Sequence, residues 1–294
     1  METSHRAALV ATIAALAACS LTTPLAGYAG PPSDDGDAGA VDARAPLDAR
    51  ERRDGEAESG PPDAATPQYE ATVLADSPLL YYRLGETMTT GPAADRASSA
   101  RDASFRGKVT AGVQGAIAND PDTAVRFDGT TAAVVLDSGP VFAGKVAYSI
   151  EAWVRPTSFA GTAGHIVAAC QASPNGGWAM YFYLDPKVHF ERETNTGTDD
   201  ITSPPLAAAA YAHLVGTFDG TTERLYVGGL LVASAPSSRM NPSTSGVPFA
   251  IGANGITADI NRFEGDIDEV AVYDHALSPE RVLAHFKVGT GTGP

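Results

Sequence analysis

The seven residues FEGDIDE, Phe263 to Glu269, hold three carboxylates in the pattern Glu264-x-Asp266-x-x-Glu269, with Asp268 as a fourth. Paired carboxylates can cleave a glycosidic bond when they stand about 5–5.5 Å apart, one as nucleophile and one as proton donor. On a regular strand, residues 264, 266 and 268 share one face and Glu269 points to the other. Glu264 and Glu269 could therefore cooperate only across a β-bulge. A bulge is expected near Asp268, because Phe263 and Ile267 set one inward parity while Val270 and Val272 set the opposite one. No second catalytic pattern is present. The six histidines form no His-Glu-x-x-His pair, no serine lies in Gly-x-Ser-x-Gly, and no glycine-rich phosphate loop precedes a helix.

Noncovalent chemistry has its own candidates. In WAMYFYLDPKVHFE (178–191), Trp178, Met180, Phe182 and Leu184 alternate onto one face, and Tyr181 and Tyr183 onto the other. Asp185-Pro186-Lys187 turns the chain back, so that His189 and Glu191 join the tyrosines. Exposed aromatic rings pack on the apolar side of a sugar while amides and carboxylates take its hydroxyls. Tyr181, Tyr183, His189 and Glu191 are thus the ligand-binding candidates, and loops 161–165, 171–177 and 193–200, rich in Gly, Asn, Thr and Asp, are candidate rims.

These residues need a scaffold, and the pattern from Tyr69 to Val288 is β throughout. Short runs of Val, Ile, Leu, Phe and Tyr recur between turn clusters, among them YSIEAWV, HIVAAC, HLVGTF, RLYV and DEVAVY. Gly228-Gly229 supplies the two positive-φ positions of a tight hairpin. One helix is expected, with Ser278 as N-cap, Pro279 at its first position, and Val282, Leu283 and Phe286 on one face. Trp153, Trp178 and Cys170 read as core residues. The domain is predicted to be all-β, a sandwich of two antiparallel sheets with a short C-terminal helix over 69–288, followed by a disordered tail at 289–294.

Seven blocks in order, YYRLGE (81–86), AVRFDG (124–129), YSIEAWVRPT (148–157), GGWAMYFYL (176–184), 212–234, PFAIGA (248–253) and 263–286, resemble the bacterial laminin-G-like domains of the concanavalin A-like lectin/glucanase superfamily. The resemblance implies a jelly roll. It also implies a structural Ca²⁺ near the first and last strands, with the Asp268 carboxylate and the Gly129 carbonyl as ligands and Glu86 as a further one. The Glu264–Glu269 spacing is similar to the catalytic strand of laminarinase-type glycanases, yet here that strand runs straight into the terminal block of the non-catalytic laminin-G-like domains. Where family members often carry Trp-His-His, this chain has Tyr211-Ala212-His213.

The N-terminal part addresses location. An apolar run from Ala7 to Ala18 follows Arg6 and reads as a signal peptide over 1–18, too short to cross a bilayer. Leu16-Ala17-Ala18-Cys19 resembles a bacterial lipobox, which implies lipidation of Cys19 and a membrane anchor without a spanning helix. Residues 19–68 are Asp, Ala, Gly, Pro and Arg with a single aromatic, Tyr28, and ten acids against four arginines. Such a segment cannot offset its ordering entropy and reads as a disordered tether. The chain's formal net charge is −15, with no basic stripe to neutralise phosphates, which excludes a nucleic-acid partner. The expected protein is an exported, lipid-anchored cell-envelope module that binds glycan or protein without catalysis. The alternatives are a glycoside hydrolase using Glu264 and Glu269, and a spacer without a specific ligand.

Overall fold

The computed structural model describes residues 68–159, 164–172, 175–254 and 261–293. The expected signal peptide, Cys19 and nearly all of the expected acidic tether lie outside the described residues. In chain order the elements are α1 (Gln68–Leu74), β1 (Leu80–Tyr82), β2 (Pro92–Ala93), β3 (Ala103–Arg106), β4 (Thr110–Gln114), β5 (Thr123–Asp128), β6 (Ala133–Leu136), β7 (Tyr148–Pro156) and β8 (Gly164–Ala172). There follow β9 (Asn175–Phe182), β10 (Val188–Thr194), β11 (Gly197–Thr202), β12 (Ala212–Phe218), β13 (Thr222–Val227), β14 (Leu230–Pro236), β15 (Phe249–Ile251), β16 (Glu264–Tyr273) and α2 (Pro279–Gly289).

The strands form two antiparallel sheets. The first runs β14-β13-β12-β7-β16-β5-β4, with β1 also paired to β16; the second runs β11-β10-β9-β8-β15-β6-β3-β2. Between them lies the main core, in which Ile150, Val154, Phe218 and Val272 meet Trp178, Met180, Phe190, Phe249 and Ile251. Phe142 stacks on Tyr148 with centroids 4.6 Å apart. Each such side chain contributes about 1.5–3 kcal/mol when fully buried. This is the expected jelly-roll sandwich.

The first sheet is covered on its other side as well. Trp153, Val215, Tyr226, Ala271 and Tyr273 pack there with Tyr69 and Val73 of α1 and with Leu277 and Val282 beside and within α2. Burial on both faces explains why β7 is almost continuously buried instead of alternating. Helix α1 was not among the expected elements. Seven residues are too few to show a helical period, and an isolated helix of that length is unstable in water, so tertiary packing of Tyr69 and Val73 holds it.

Local expectations hold in most places. Ser278 caps α2, its hydroxyl accepting from Arg281 N at 3.3 Å. Gly228 and Gly229 have φ of 59° and 77° and join β13 to β14 as a two-residue hairpin. The register of β16 shifts between Asp268 and Ala271, with Glu269 at φ 51°, which is the anticipated bulge. Two details differ. Leu184 leaves the apolar stripe of β9, exposed in the turn at φ 57°. The presumed tail is partly ordered: α2 runs to Gly289, whose carbonyl accepts from Ala118 N at 2.8 Å, and Thr290 caps the helix. Cys170 is buried beside Ala168, Ala179 and Tyr181, as expected of a core residue. Among the described residues no helix is long and apolar enough to cross a membrane.

Candidate functional site

The carboxylates of FEGDIDE diverge. Glu264 is exposed opposite Asp128 of β5, while Glu269 is buried past the bulge, accepting from Tyr81 Oη and from Arg83 Nε and Nη2 at 3.0 and 2.9 Å. Five residue steps along the strand separate Glu264 from Glu269, about 16 Å at about 3.3 Å per step. Retaining hydrolysis needs about 5–5.5 Å and inverting hydrolysis about 6.5–9.5 Å. This pair therefore serves neither geometry. Glu269 belongs to an ionic cluster in which Arg83 also pairs with Glu70, Asp120 and Asp122, tying α1, the end of β1 and the start of β5 to β16.

The three residues implied for calcium lie apart from one another. Asp268 is buried; Oδ2 accepts from Ala116 N at 2.7 Å, and Oδ1 has no hydrogen-bond partner. Burial, and then the neighbouring Glu269 charge, raise its pKa well above the usual carboxylate range. A Cβ built on Gly115 would lie 2.5 Å from the Asp122 carbonyl oxygen and 3.4 Å from Asp268 Oδ2. The Asp122 carbonyl and Asp268 Oδ2 thus lie close over Gly115, but this Oδ2 is the oxygen already bonded to Ala116 N, not the orphaned Oδ1. Gly129 lies beyond Asp128, at the Glu264 end of the β5–β16 pair. Glu86 accepts from Ala94 N at 2.8 Å and lines a pocket with Arg83, Arg96 and Asp122. Among the described residues no three His, Cys, Asp or Glu side chains surround a common point.

The four ligand-binding candidates do come together, on the outer face of the second sheet. Register places His165 of β8 and His189 of β10 on either side of Tyr181. Both imidazoles stack on its ring, with centroids 4.9 and 5.0 Å away and interplanar angles of 15° and 18°. Both faces of Tyr181 are consequently occupied, and its hydroxyl donates to Glu191 Oε2 at 2.7 Å. Burial raises Glu191 to about 7, with Glu193 and Asp200 adding to the shift against the Tyr181 hydrogen bond. His189 Nδ1 lies 2.8 Å from Asp200 Oδ2, a contact that helps hold the imidazole above its ordinary pKa despite desolvation. His165 goes the other way, lowered to about 4 by burial. Tyr181 and Glu191 are buried, whereas Tyr183 and His189 are half-buried and meet edge-on at 6.4 Å. The accessible part of the cluster is accordingly Tyr183, His189 and Asp200. Sequence parity found the tyrosines, but His165 and Asp200 become neighbours only through strand pairing.

A second polar cluster gave no sequence signal at all. Glu151 of β7, fully buried, accepts from Tyr69 Oη at 3.0 Å and Tyr273 Oη at 2.7 Å, and its Oε1 lies 2.7 Å from His213 Nε2. His285 of α2 bridges Glu151, 3.0 Å from Nδ1, and Asp76, 2.7 Å from Nε2, while Arg281 binds Asp76 in turn. Trp153 Nε1 donates to Tyr69 Oη at 2.7 Å. This cluster bolts both helices to the first sheet.

Several solved structures share the fold. The fourth domain of AbnA, an extracellular arabinanase from Geobacillus stearothermophilus, solved with arabinotriose, is 19% identical, covers 72% of this chain and 97% of that one, and superposes with a TM-score of 0.53. The binding domain of Paraclostridial Mosquitocidal Protein 1 gives 16% identity, coverage of 73% and 52%, and a TM-score of 0.56. The ligand-binding domain of botulinum neurotoxin serotype D, in complex with N-acetylneuraminic acid, gives 12%, 74% and 52%, and 0.51. The chain spans about half the length of the neurotoxin domains it matches. No curated protein sequence matches it. The profile of the family described as the concanavalin A-like lectin/glucanases superfamily matches residues 128–283. That span is more than half of the 294-residue sequence and holds the strands β7 to β16 that build most of both sheets, so the chain belongs to the concanavalin A-like lectin/glucanases superfamily.

Proposed function

We propose that this protein is a non-catalytic recognition module that binds a glycan through the outer face of its second sheet. The observation that carries the reading is the cluster of Tyr183, His189 and Asp200: a half-buried aromatic edge beside a hydrogen-bonding imidazole–carboxylate pair, held by the Tyr181 stack beneath it. An arrangement of this kind offers apolar contact to a sugar ring and polar contact to its hydroxyls. Relatives of the same fold solved with arabinotriose and with N-acetylneuraminic acid support a glycan ligand over a bare spacer. A glycan array probed with the full chain tests the reading, with reducing-sugar release measured in parallel. Binding that falls at least tenfold in Tyr183→Ala and His189→Ala, without sugar release, is the expected result. Release that disappears in Glu264→Gln would instead establish a hydrolase, and silence on the array would leave a protein ligand or a spacer.

In the same proposal the module is exported and held on a membrane by lipid on Cys19, with residues 20–67 as its tether. Labelled palmitate should enter the wild type and not Cys19→Ala. Peptide mapping that finds Cys19 in a disulfide would remove the anchor, since a thioether and a disulfide cannot share one sulfur.

A further inference from the structure

The outer face of the first sheet carries a charged row remote in the fold from Tyr183 and His189. Register sets Thr110 of β4 opposite Arg126 of β5, Arg126 opposite Asp266 of β16, and Asp266 opposite Arg155 of β7. Tyr211 extends the row, its ring centroid 4.6 Å from the Arg155 guanidinium carbon. Asp266 is buried, at 1% exposure, and takes both arginines at once. Arg126 Nε donates to Oδ1 at 2.7 Å and its Nη2 to Oδ2 at 3.1 Å; Arg155 Nε donates to Oδ2 at 2.7 Å, with Nη2 at 2.5 Å.

One buried anion thereby positions two cations, and the Nη1 group of each has no hydrogen-bond partner among the described residues. The two arginines, with Asp266, Pro156, Thr157 and Ala209, line a pocket of about 300 Å³. Neighbouring acids do little to cancel the excess charge. Asp128 is spent on the turn after β5, accepting from the N–H groups of Thr130, Thr131 and Ala132. On the same strand Asp268 is buried with its Oδ2 turned to Ala116 N, and Glu264 is exposed.

We propose that this pocket is a carboxylate-binding subsite for an acidic sugar. Guanidinium forks whose Nε and Nη2 edges are already fixed present their remaining donors without ordering cost, and charge-assisted hydrogen bonds to a carboxylate are the natural use of such donors. The volume lies at the small end of ligand pockets, about 300–1,000 Å³, and suits a single sugar ring. Pro156 and Ala209 supply apolar wall, and Thr157 a hydroxyl. The inference goes beyond the glycan-binding reading, because it concerns the other sheet and fixes the charge of the ligand.

Calorimetric titration of the full chain with digalacturonate, with neutral galactobiose and with sulfate tests it. Digalacturonate should bind at least tenfold more tightly than galactobiose, and Arg126→Gln should weaken it about tenfold or more. Arg126 is the residue to change, since half of its side chain is exposed and Arg155 still pairs with Asp266 in its absence. Thermal melting confirms that the variant is folded. Tyr183→Ala should leave digalacturonate affinity intact, which separates this site from the one on the second sheet. No digalacturonate binding by the wild type, equal affinity for galactobiose, unchanged affinity in folded Arg126→Gln, or displacement by equimolar sulfate would each overturn the proposal.

Discussion

Glu151 shows how much a single buried side chain can control. Desolvation opposes its charge, yet His285, His213 and the two tyrosines hold its pKa well below the usual carboxylate value. His285 is the counterpart: burial would lower its pKa, but Glu151 and Asp76 raise it to about 9. A raised histidine stabilises fully below its unfolded pKa of about 6.5, and that contribution is lost as pH climbs through about 9. A depressed glutamate stabilises fully above about 4.5 and loses its contribution as pH falls. The two together predict a plateau of thermal stability between about pH 4.5 and 6.5. The alkaline limb has an amplitude of about 3 kcal/mol, from roughly 1.4 kcal/mol per pKa unit. Melting curves in His285→Gln should lose that alkaline limb, and Glu151→Gln should cost about 3–5 kcal/mol, because His285 would keep a buried charge without its partner. If stability of the wild type is flat from pH 6.5 to 9.5, this account of the cluster fails. None of these residues could be grouped from the sequence: 69, 76, 151, 213, 273 and 285 share no spacing, and only the pairing of β7 with β12 and β16 and the docking of two helices assemble them.

At the scale of elements, local chemistry was far more readable. The β13–β14 hairpin follows from two adjacent glycines whose positive φ costs a side-chain-bearing residue about 1 kcal/mol or more. The two positions are nonetheless unequal. A Cβ at Gly228 comes no closer than 3.7 Å to Phe286, whereas one at Gly229 would approach Phe286 Cβ at 3.0 Å and Leu283 Cδ1 at 3.1 Å. Gly228→Asn should therefore be almost neutral, since asparagine tolerates a left-handed backbone, while Gly229→Ala should cost about 1–3 kcal/mol in denaturant unfolding. Equal destabilisation by the two would show that α2 does not press on this turn. Helix α2 was legible through Ser278 and Pro279, and the β16 bulge through the parity change between Ile267 and Val270. Helix α1 was not, because its stability resides in what it packs against.

For the whole molecule, the bracing of the first sheet gives a test that also bears on whether Asp268 takes a calcium ion. Calcium added to metal-free protein should raise the melting temperature, and EDTA should reverse the rise. Asp268→Asn should abolish the calcium response while leaving the metal-free protein close to wild type, as the substitution keeps a neutral group where burial already disfavours charge. A calcium shift that persists in Asp268→Asn would place the cation elsewhere. The sequence by itself determined the class of fold, most strand positions, the tight turn, the C-terminal cap and the bulge, because each depends on side-chain alternation or on the backbone freedom of a few adjacent residues. Tertiary structure decided which of those residues meet. It parted Glu264 from Glu269 along one strand, covered both faces of Tyr181 with imidazoles, and lined up Arg126, Asp266 and Arg155 across three strands. Register between strands distant in the chain is set by the packing of two sheets against each other, and a linear pattern of residue types carries no record of it.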